Sequence, residues 1–118
     1  MNFLGRTFIC ERLRLNVRQS YRIVGSSRSG MIASDEIVRL LNRSRRGIEA
    51  PLSEIPSDIA TPQEVCAKTG VTERQLRAWS HRTGNVAPHF RLNGHTRRYS
   101  VGRFVEWLAH NSRMERFS

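Results

Sequence analysis

Two helix-start signals with a glycine between them constrain the fold of this 118-residue chain more than any other feature. Residues 61–64 read Thr-Pro-Gln-Glu, a capping box with proline at the first helical position. Thr72 and Gln75 repeat the capping-box spacing, and Gly70 stands where a left-handed turn would end the first helix. The pattern therefore predicts two short helices joined by a tight turn.

The second of these helices separates apolar from polar side chains. Leu76 and Trp79 share one side at i, i+3 spacing, which predicts that both face the core. The N-cap and the opposite side carry polar and basic residues, namely Thr72, Arg74, Gln75, Arg77 and His81. A short helix that buries leucine and tryptophan and exposes arginine and glutamine is typical of a recognition helix in the major groove of DNA.

A β-hairpin, or wing, is predicted after Gly84, because Asn93-Gly94 stands between the extended runs His89–Leu92 and His95–Tyr99. Its arginines should lie near exposed edges, where they suit the phosphate backbone or the minor groove. The candidate DNA contacts on the wing are Arg91, Asn93, His95, Arg97 and Arg98.

A third helix is predicted to follow, with Ser100 as its cap. Its apolar residues follow the i, i+3, i+4, i+7 pattern of a buried helix side. They are Val101, Phe104, Val105 and Leu108, with Trp107 beside them. This helix should therefore close the core of the C-terminal unit.

Residues 60–111 resemble the winged helix-turn-helix of the excisionase and AlpA-like proteins, within the wider MerR-like superfamily. The resemblance rests on the capped first helix, the turn Gly70-Val71-Thr72, Leu76 with Trp79, the run from Arg97 to Ser100, and Phe104 to Leu108. The segment His81–His89 departs from the short acidic or Gly-Pro linker that is common in the family, which leaves the path of the wing open.

The resemblance implies binding to double-stranded DNA in the service of a phage, plasmid or other mobile element. Carried over by position, Arg74, Gln75 and Arg77 would read the major groove. Arg97 and Arg98 would hold the phosphate backbone.

Residues 1–46 repeat this pattern with a shortened wing. Ile9-Cys10 aligns with Val65-Cys66, and further on Ile37-Val38 aligns with Phe104-Val105. Ile37-Val38 and Phe104-Val105 lie farther apart in the sequence than Ile9-Cys10 and Val65-Cys66 do. The extra residues fall where the hairpin of the second copy is predicted. The candidate DNA contacts of this N-terminal unit are Arg18, Gln19, Arg22 and Arg28.

Two departures weaken the repeat: Arg14 stands in place of Gly70, and Ser20 stands in place of Leu76. The alternative is an unrelated helical extension that packs on the winged unit or forms a dimer. We interpret Cys10 and Cys66, at matching places, as small hydrophobic residues of the two first helices.

Residues 47–60 are predicted to be a linker, since they hold Pro51 and Pro56 and show no clear period. At about 3.1 Å per residue they could place the two halves in neighbouring major grooves, about 34 Å apart. Leu52, Ile55 and Ile59 predict, however, that part of the segment packs against a domain. The expected fold class is mainly α with a small β-hairpin wing, in two tandem winged helix-turn-helix copies over residues 1–46 and 61–118.

The net charge is +10, from 20 Lys+Arg and 10 Asp+Glu, which predicts attraction to polyanions. The sequence has no glycine-rich phosphate loop, no nucleophile constellation and no closely spaced Cys or His pair. We therefore expect no catalytic activity, no metal and no cofactor. No apolar run approaches the roughly 18 residues of a membrane span, and we expect a cytoplasmic, nucleoid-associated protein.

Together these patterns predict a sequence-specific regulator that binds double-stranded DNA, of the repressor type. One alternative is an excisionase-like directionality factor that bends attachment-site DNA and recruits an integrase; another is a protein-interaction winged helix. The partners implied are double-stranded DNA and either an integrase or RNA polymerase, with no membrane. The chain would act as a monomer with two DNA-reading units or as a cooperative oligomer on DNA.

Overall fold

The computed structural model describes the backbone of residues 2–115 and the side chains of residues 2–111. These residues form a mixed α/β fold with six helices and two small antiparallel sheets. In chain order the elements are β1 (Phe3–Gly5), α1 (Arg6–Leu13), α2 (Val17–Ile23), β2 (Met31–Ala33), α3 (Ser34–Ser44), β3 (Arg45–Arg46), β4 (Ile59–Ala60), α4 (Pro62–Thr69), α5 (Glu73–His81), β5 (His89–Asn93), β6 (Thr96–Ser100) and α6 (Val101–Glu115). Met1 and residues 116–118, the two ends of the predicted tandem units, lie outside the described residues.

The predicted starts of α4 and α5 are confirmed. The Thr61 hydroxyl accepts a hydrogen bond from the Glu64 amide at 3.2 Å, and the Glu64 carboxylate accepts one from the Thr61 amide at 2.9 Å. Thr72 and Gln75 make the same reciprocal pair, with both distances 3.1 Å. Gly70 ends α4 with a φ of 78°, a left-handed conformation that glycine adopts without steric cost.

The first two helices repeat this arrangement with different residues. Asn16 caps α2, and its side chain and that of Gln19 form a reciprocal capping box. Arg14 ends α1 in the left-handed conformation, with a φ of 57°, although that conformation costs a non-glycine residue roughly 1–2 kcal/mol. Arg14 also forms a two-point ion pair with Glu64, with its Nε 3.1 Å from Oε1. The ion pair and the Thr61 amide hold the pKa of Glu64 at about 2.

The strands that flank the helix pairs α1–α2 and α4–α5 pair in equivalent registers. β1 pairs with β2 so that Leu4 is opposite Ile32, and β4 pairs with β6 so that Ala60 is opposite Tyr99. Leu4 and Ala60 occupy equivalent positions in the sequence alignment of the two copies, and so do Ile32 and Tyr99. The two halves therefore share the order strand, helix, tight turn, helix, strand, helix, except that the second half has the additional strand β5 before β6.

A backbone hydrogen bond at the start of the last helix of each half extends this correspondence. The Ser34 amide donates to the Asn2 carbonyl at 2.8 Å, and the Val101 amide donates to the Asp58 carbonyl at 3.1 Å. Both the donors and the acceptors are equivalent positions in the same alignment. Apart from the additional strand β5, the order of elements therefore corresponds in the two halves as far as the starts of α3 and α6.

The predicted hairpin forms, but its turn lies one residue later than expected. Gly94-His95 make the turn, and Asn93 pairs with Thr96. The Asn93 side chain accepts a hydrogen bond from the His95 amide at 2.8 Å, which stabilises this turn. The register shifts between Arg91 and Asn93, so the two strands are not matched residue for residue.

The hairpin lies in the middle of a four-stranded sheet with the order β3-β5-β6-β4. Neither β3 nor β4 was predicted, because each is very short and is defined by its partner. Phe90 and Leu92 of β5 belong to a first core, together with Ile9, Leu13, Leu15, Ile32, Ile37, Leu40 and Leu41 of the N-terminal half and with Leu52 and Ile59. Tyr99 of β6 belongs to a second core with Ala60, Val65, Val71, Leu76, Ala87 and Phe104. The predicted wing thus separates two cores.

Residues 47–60 do not run as an extended spacer. Leu52 and Ile59 are buried in the first core and Ile55 packs against it, as their apolar character predicted. The Asn42 side chain holds both the amide and the carbonyl of Leu52, at 2.7 and 3.1 Å. The two halves are therefore joined by packed structure and not by a flexible tether.

Asp58, in the same segment, takes the capping role that we predicted for Ser100. Its carboxylate accepts hydrogen bonds from the Gly102 amide and the Ser100 hydroxyl, each at 2.8 Å. A carboxylate at a helix N-terminus is favourable because the exposed amides carry partial positive charge. In α6 itself Phe104 is buried as predicted, but the prediction for Val105 is wrong, since it is 45% exposed.

The prediction that Arg98 lies at an exposed edge is also wrong. The side chain is 7% exposed and crosses to the N-terminal half. Its guanidinium donates to the Leu13 carbonyl at 3.1 Å and to the Arg14 carbonyl at 2.8 Å. These carbonyls lie at the end of α1, where a helix leaves its last acceptors unpaired. Arg98 therefore joins the two halves.

We predict that Arg98→Ala lowers the free energy of unfolding by about 2–3 kcal/mol, because two carbonyl groups lose their buried donor. Urea unfolding at neutral pH measures the change. Arg74→Ala, which removes an exposed arginine of α5, is the matched control and should change stability by about 0.5 kcal/mol or less. Equal stability of the two variants would contradict the joining role.

Candidate nucleic-acid interface

Helix α5 is fixed from its buried side. Leu76 is 1% exposed, and the Ser80 hydroxyl donates to the Leu76 carbonyl and lies 2.6 Å from the Tyr99 hydroxyl. Trp79 is half-buried, with its ring centroid 5.6 Å from that of Trp107. The predicted site residues of this helix are all exposed, namely Thr72, Arg74, Gln75, Arg77 and His81. The helix therefore presents its polar side on a rigid support.

A cluster of positive charge joins α5 to the hairpin. The Arg91 guanidinium lies 3.4 Å from Nδ1 of His81, and Arg97 donates to the Tyr99 hydroxyl at 2.6 Å. Partial burial and then the charges of Arg97, Arg91 and Arg77 lower the pKa of His81. We call Arg77, His81, Arg91 and Arg97 the arginine cluster.

The arginine cluster has little negative charge to balance it. Within residues 2–111, none of its arginines forms an ion pair with a carboxylate. Glu73 lies on the same groove as Arg77 and Arg97 but is not bonded to them. Like charges held near one another repel, so binding of an anion would be favourable here.

The cluster borders a groove of about 380 Å³ that both halves of the chain line. Its walls are formed by Gln19, Pro62, Gln63, Glu73, Arg77, His95, Arg97 and Arg98. Gln19 comes from α2 and Arg77 from α5, so the two helices open on one groove. The two helices therefore lie beside one another, and not in separate units at the two ends of an extended linker.

The remaining predicted site residues are placed as follows. Asn93 and His95 are exposed at the tip of the hairpin, where His95 also lines the groove. Arg18 and Arg22 are exposed on α2, and Arg28 is exposed in the loop before β2. Gln19 is half-buried, and Arg98, at the junction of the halves, is withdrawn from the surface except where it borders the groove.

Sequence reasoning missed one pair beside this surface. The Arg6 guanidinium lies 3.8 Å from the centroid of the Tyr21 ring, and it donates to the Gly25 carbonyl at 2.7 Å. Tyr21 is 52% exposed. The alignment of the two halves held a signal for it, because Tyr21 aligns with Arg77.

His89, at the base of the hairpin, is buried and uncharged. Desolvation by burial lowers its pKa to about 4, against the hydrogen bond between Nδ1 and the Ala87 carbonyl at 2.7 Å. The charges of Arg91, Arg97 and Arg46 lower it further. His89 therefore supports the strand beneath the arginine cluster without adding to its charge.

Comparison of the chain with protein families, with curated proteins and with solved structures found no match. Within the described residues there is no group of three or more His, Cys, Asp or Glu side chains that could hold a metal ion. None of the described helices is both long enough and apolar enough to span a bilayer. The site must therefore be interpreted from its own geometry.

We predict that His89 makes folding sensitive to mild acid. Between pH 6.5 and about 4 the unfolded chain binds a proton at this residue and the folded chain does not, so the free energy of unfolding falls as the pH falls. From pH 7 to pH 5 the contribution is about 2 kcal/mol. His89→Phe should remove it, as measured by urea unfolding at both pH values. His110→Phe, at an exposed position of α6, should keep the wild-type pH dependence; the same slope in all three proteins would contradict the assignment.

Proposed function

We propose that this protein is a sequence-specific regulator that binds double-stranded DNA, with α5 in the major groove and the hairpin arms on the phosphate backbone. The observation that carries the proposal is the exposed polar side of α5 next to the arginine cluster. Arg74, Gln75 and Arg77 can donate to base edges, and arginine paired with guanine is the commonest specific contact in the major groove. Arg91 and Arg97 are suited to phosphate oxygens.

We further propose that the chain is a tandem winged helix-turn-helix whose first wing is reduced. The equivalent registers of the strand pairs, the matching helix caps and the left-handed residues at Arg14 and Gly70 support this interpretation. In our proposal α2 and α5 form one composite DNA-binding surface around the groove they share. The DNA site would then be continuous and asymmetric, and one chain would read it without a symmetric partner.

The biological role follows from the resemblance to regulators of phages and mobile elements, and we propose a repressor-type transcriptional regulator. A single chain that recognises one discrete asymmetric site suits this role better than several chains that bind side by side along repeated sites. An excisionase-like factor would instead coat repeated short sites. A footprint on DNA selected from random sequence, with the protein stoichiometry determined on the same complex, distinguishes the two roles.

We predict that Arg74→Ala weakens binding to the selected DNA by about 1–3 kcal/mol and relaxes specificity at one position. Arg97→Ala should weaken binding to all duplexes alike and reduce the salt dependence by about one phosphate contact. Fluorescence anisotropy with the selected and a random duplex at several salt concentrations measures both effects. Arg103→Ala, at an exposed position of α6, is the control. An equal loss on selected and random DNA for Arg74→Ala would refute the base-reading role.

For the first copy, we predict that Arg18→Ala weakens protection at the end of the footprint that Arg74→Ala leaves intact. The physical reason is that Arg18 is exposed on α2 at the position equivalent to Arg74. Arg39→Ala, exposed on α3, is the matched control. An unchanged affinity and footprint for Arg18→Ala would mean that α2 does not bind DNA, and would leave the second copy as the reader.

A further inference from the structure

Helix α2 differs from α5 in the chemistry of its exposed side. In the alignment of the two copies, Val17 occupies the position of Glu73, and Tyr21 occupies the position of Arg77. Both α2 residues are exposed, Val17 by 60% and Tyr21 by 52%. Glu73 and Arg77 line the shared groove. The first copy therefore presents an apolar pair where the second presents a charged pair.

The apolar pair is oriented by its neighbours. Val17 is the first residue of α2, directly after the Asn16 cap, and Tyr21 follows one turn later on the same side. Arg6 covers one face of the Tyr21 ring and is itself held by the Gly25 carbonyl. Neither Val17 nor Tyr21 belongs to a core. Exposed apolar groups placed side by side gain free energy when a partner removes them from water.

The surroundings of the pair indicate what that partner is. Arg18 and Arg22 are exposed on the same helix, and Gln19 lines the groove that also holds Arg77 and Arg97. An apolar patch among arginines suits a surface that combines negative charge with small apolar groups. The major groove of DNA is such a surface, because it lies between phosphates and displays the C5-methyl group of thymine.

We propose that Val17 and Tyr21 contact thymine methyl groups, so that α2 reads thymines while α5 reads guanines. The inference rests on the proposed function and extends it to the composition of the binding site. It assigns the two copies different base preferences from the residues at two equivalent positions. The DNA site would then have a guanine-containing part bound by Arg74 and Arg77 and a thymine-containing part bound by α2.

The test replaces thymine with deoxyuridine, one position at a time, in the selected duplex. This change removes the C5-methyl group and leaves the base pair intact. We expect affinity to fall about fourfold at one or two thymines within the part of the footprint that Arg18→Ala affects. Deoxyuridine elsewhere should have little effect.

The variant Val17→Ala links the effect to the side chain. It should bind the thymine duplex about fourfold more weakly than the wild type binds that duplex. On the deoxyuridine duplex, the variant and the wild type should have about the same affinity. Val105→Ala, at an apolar position of α6 that is 45% exposed, is the matched control. Tyr21→Ala is a second variant with the same expected pattern, and circular dichroism checks that each variant folds.

The outcomes separate this inference from the proposed function. Specific binding that is insensitive to deoxyuridine overturns the inference and leaves the proposed function standing. An equal loss on both duplexes for Val17→Ala overturns it too. If Val17→Ala and Tyr21→Ala leave binding to the thymine duplex unchanged, the two side chains do not contact the thymine methyl groups and the inference is overturned. If no sequence can be selected, the proposed function fails and the inference fails with it.

Discussion

The β5–β6 hairpin contributes side chains to two separate cores, and the rest of the structure depends on this. Phe90 and Leu92 complete the core of the N-terminal half, while Tyr99 completes the core of the C-terminal half. Arg98 ties the same hairpin to the end of α1 through two carbonyl groups. Because one pair of strands serves two cores, the halves hold a fixed orientation. The exposed sides of α2 and α5 open on a common groove for this reason.

The local features of the fold could be predicted because their causes lie within a few residues. Three helices are capped by Thr61, Thr72 and Asn16. Each cap forms a reciprocal pair of hydrogen bonds with the residue three positions later. Gly70 ends α4 by its own conformational freedom. The strand β4 and the Asp58 cap could not be predicted in this way, since both depend on partners at the far side of the hairpin, much later in the chain. Contacts of that separation leave no periodic pattern in the sequence.

In the candidate site too, the features that depend on nearby residues could be predicted, and those that depend on distant parts of the chain could not. The period of α5 was sufficient to place Arg74 and Arg77 on its exposed side, since one buried side determines the other. On the hairpin, Arg97 and Arg98 were both predicted near exposed edges, although neighbouring residues of a strand lie on opposite faces, and the sequence did not tell us that a second core covers one of these faces. Arg98 was therefore assigned to the surface and lies at the junction. Tyr21 was overlooked because nothing in the sequence indicated that Arg6 lies over its ring.

The shared hairpin also has a consequence for the order of events in synthesis. When residues 1–60 of the nascent chain have left the ribosome, the segments that form α1, α2 and α3 have been synthesised. Phe90 and Leu92, which complete the core that those helices need, have not yet emerged. The first half of the chain must therefore wait, with its apolar side chains incompletely covered, until most of the second half has emerged. Two units that resemble each other in sequence would in this way fold as one, late and together.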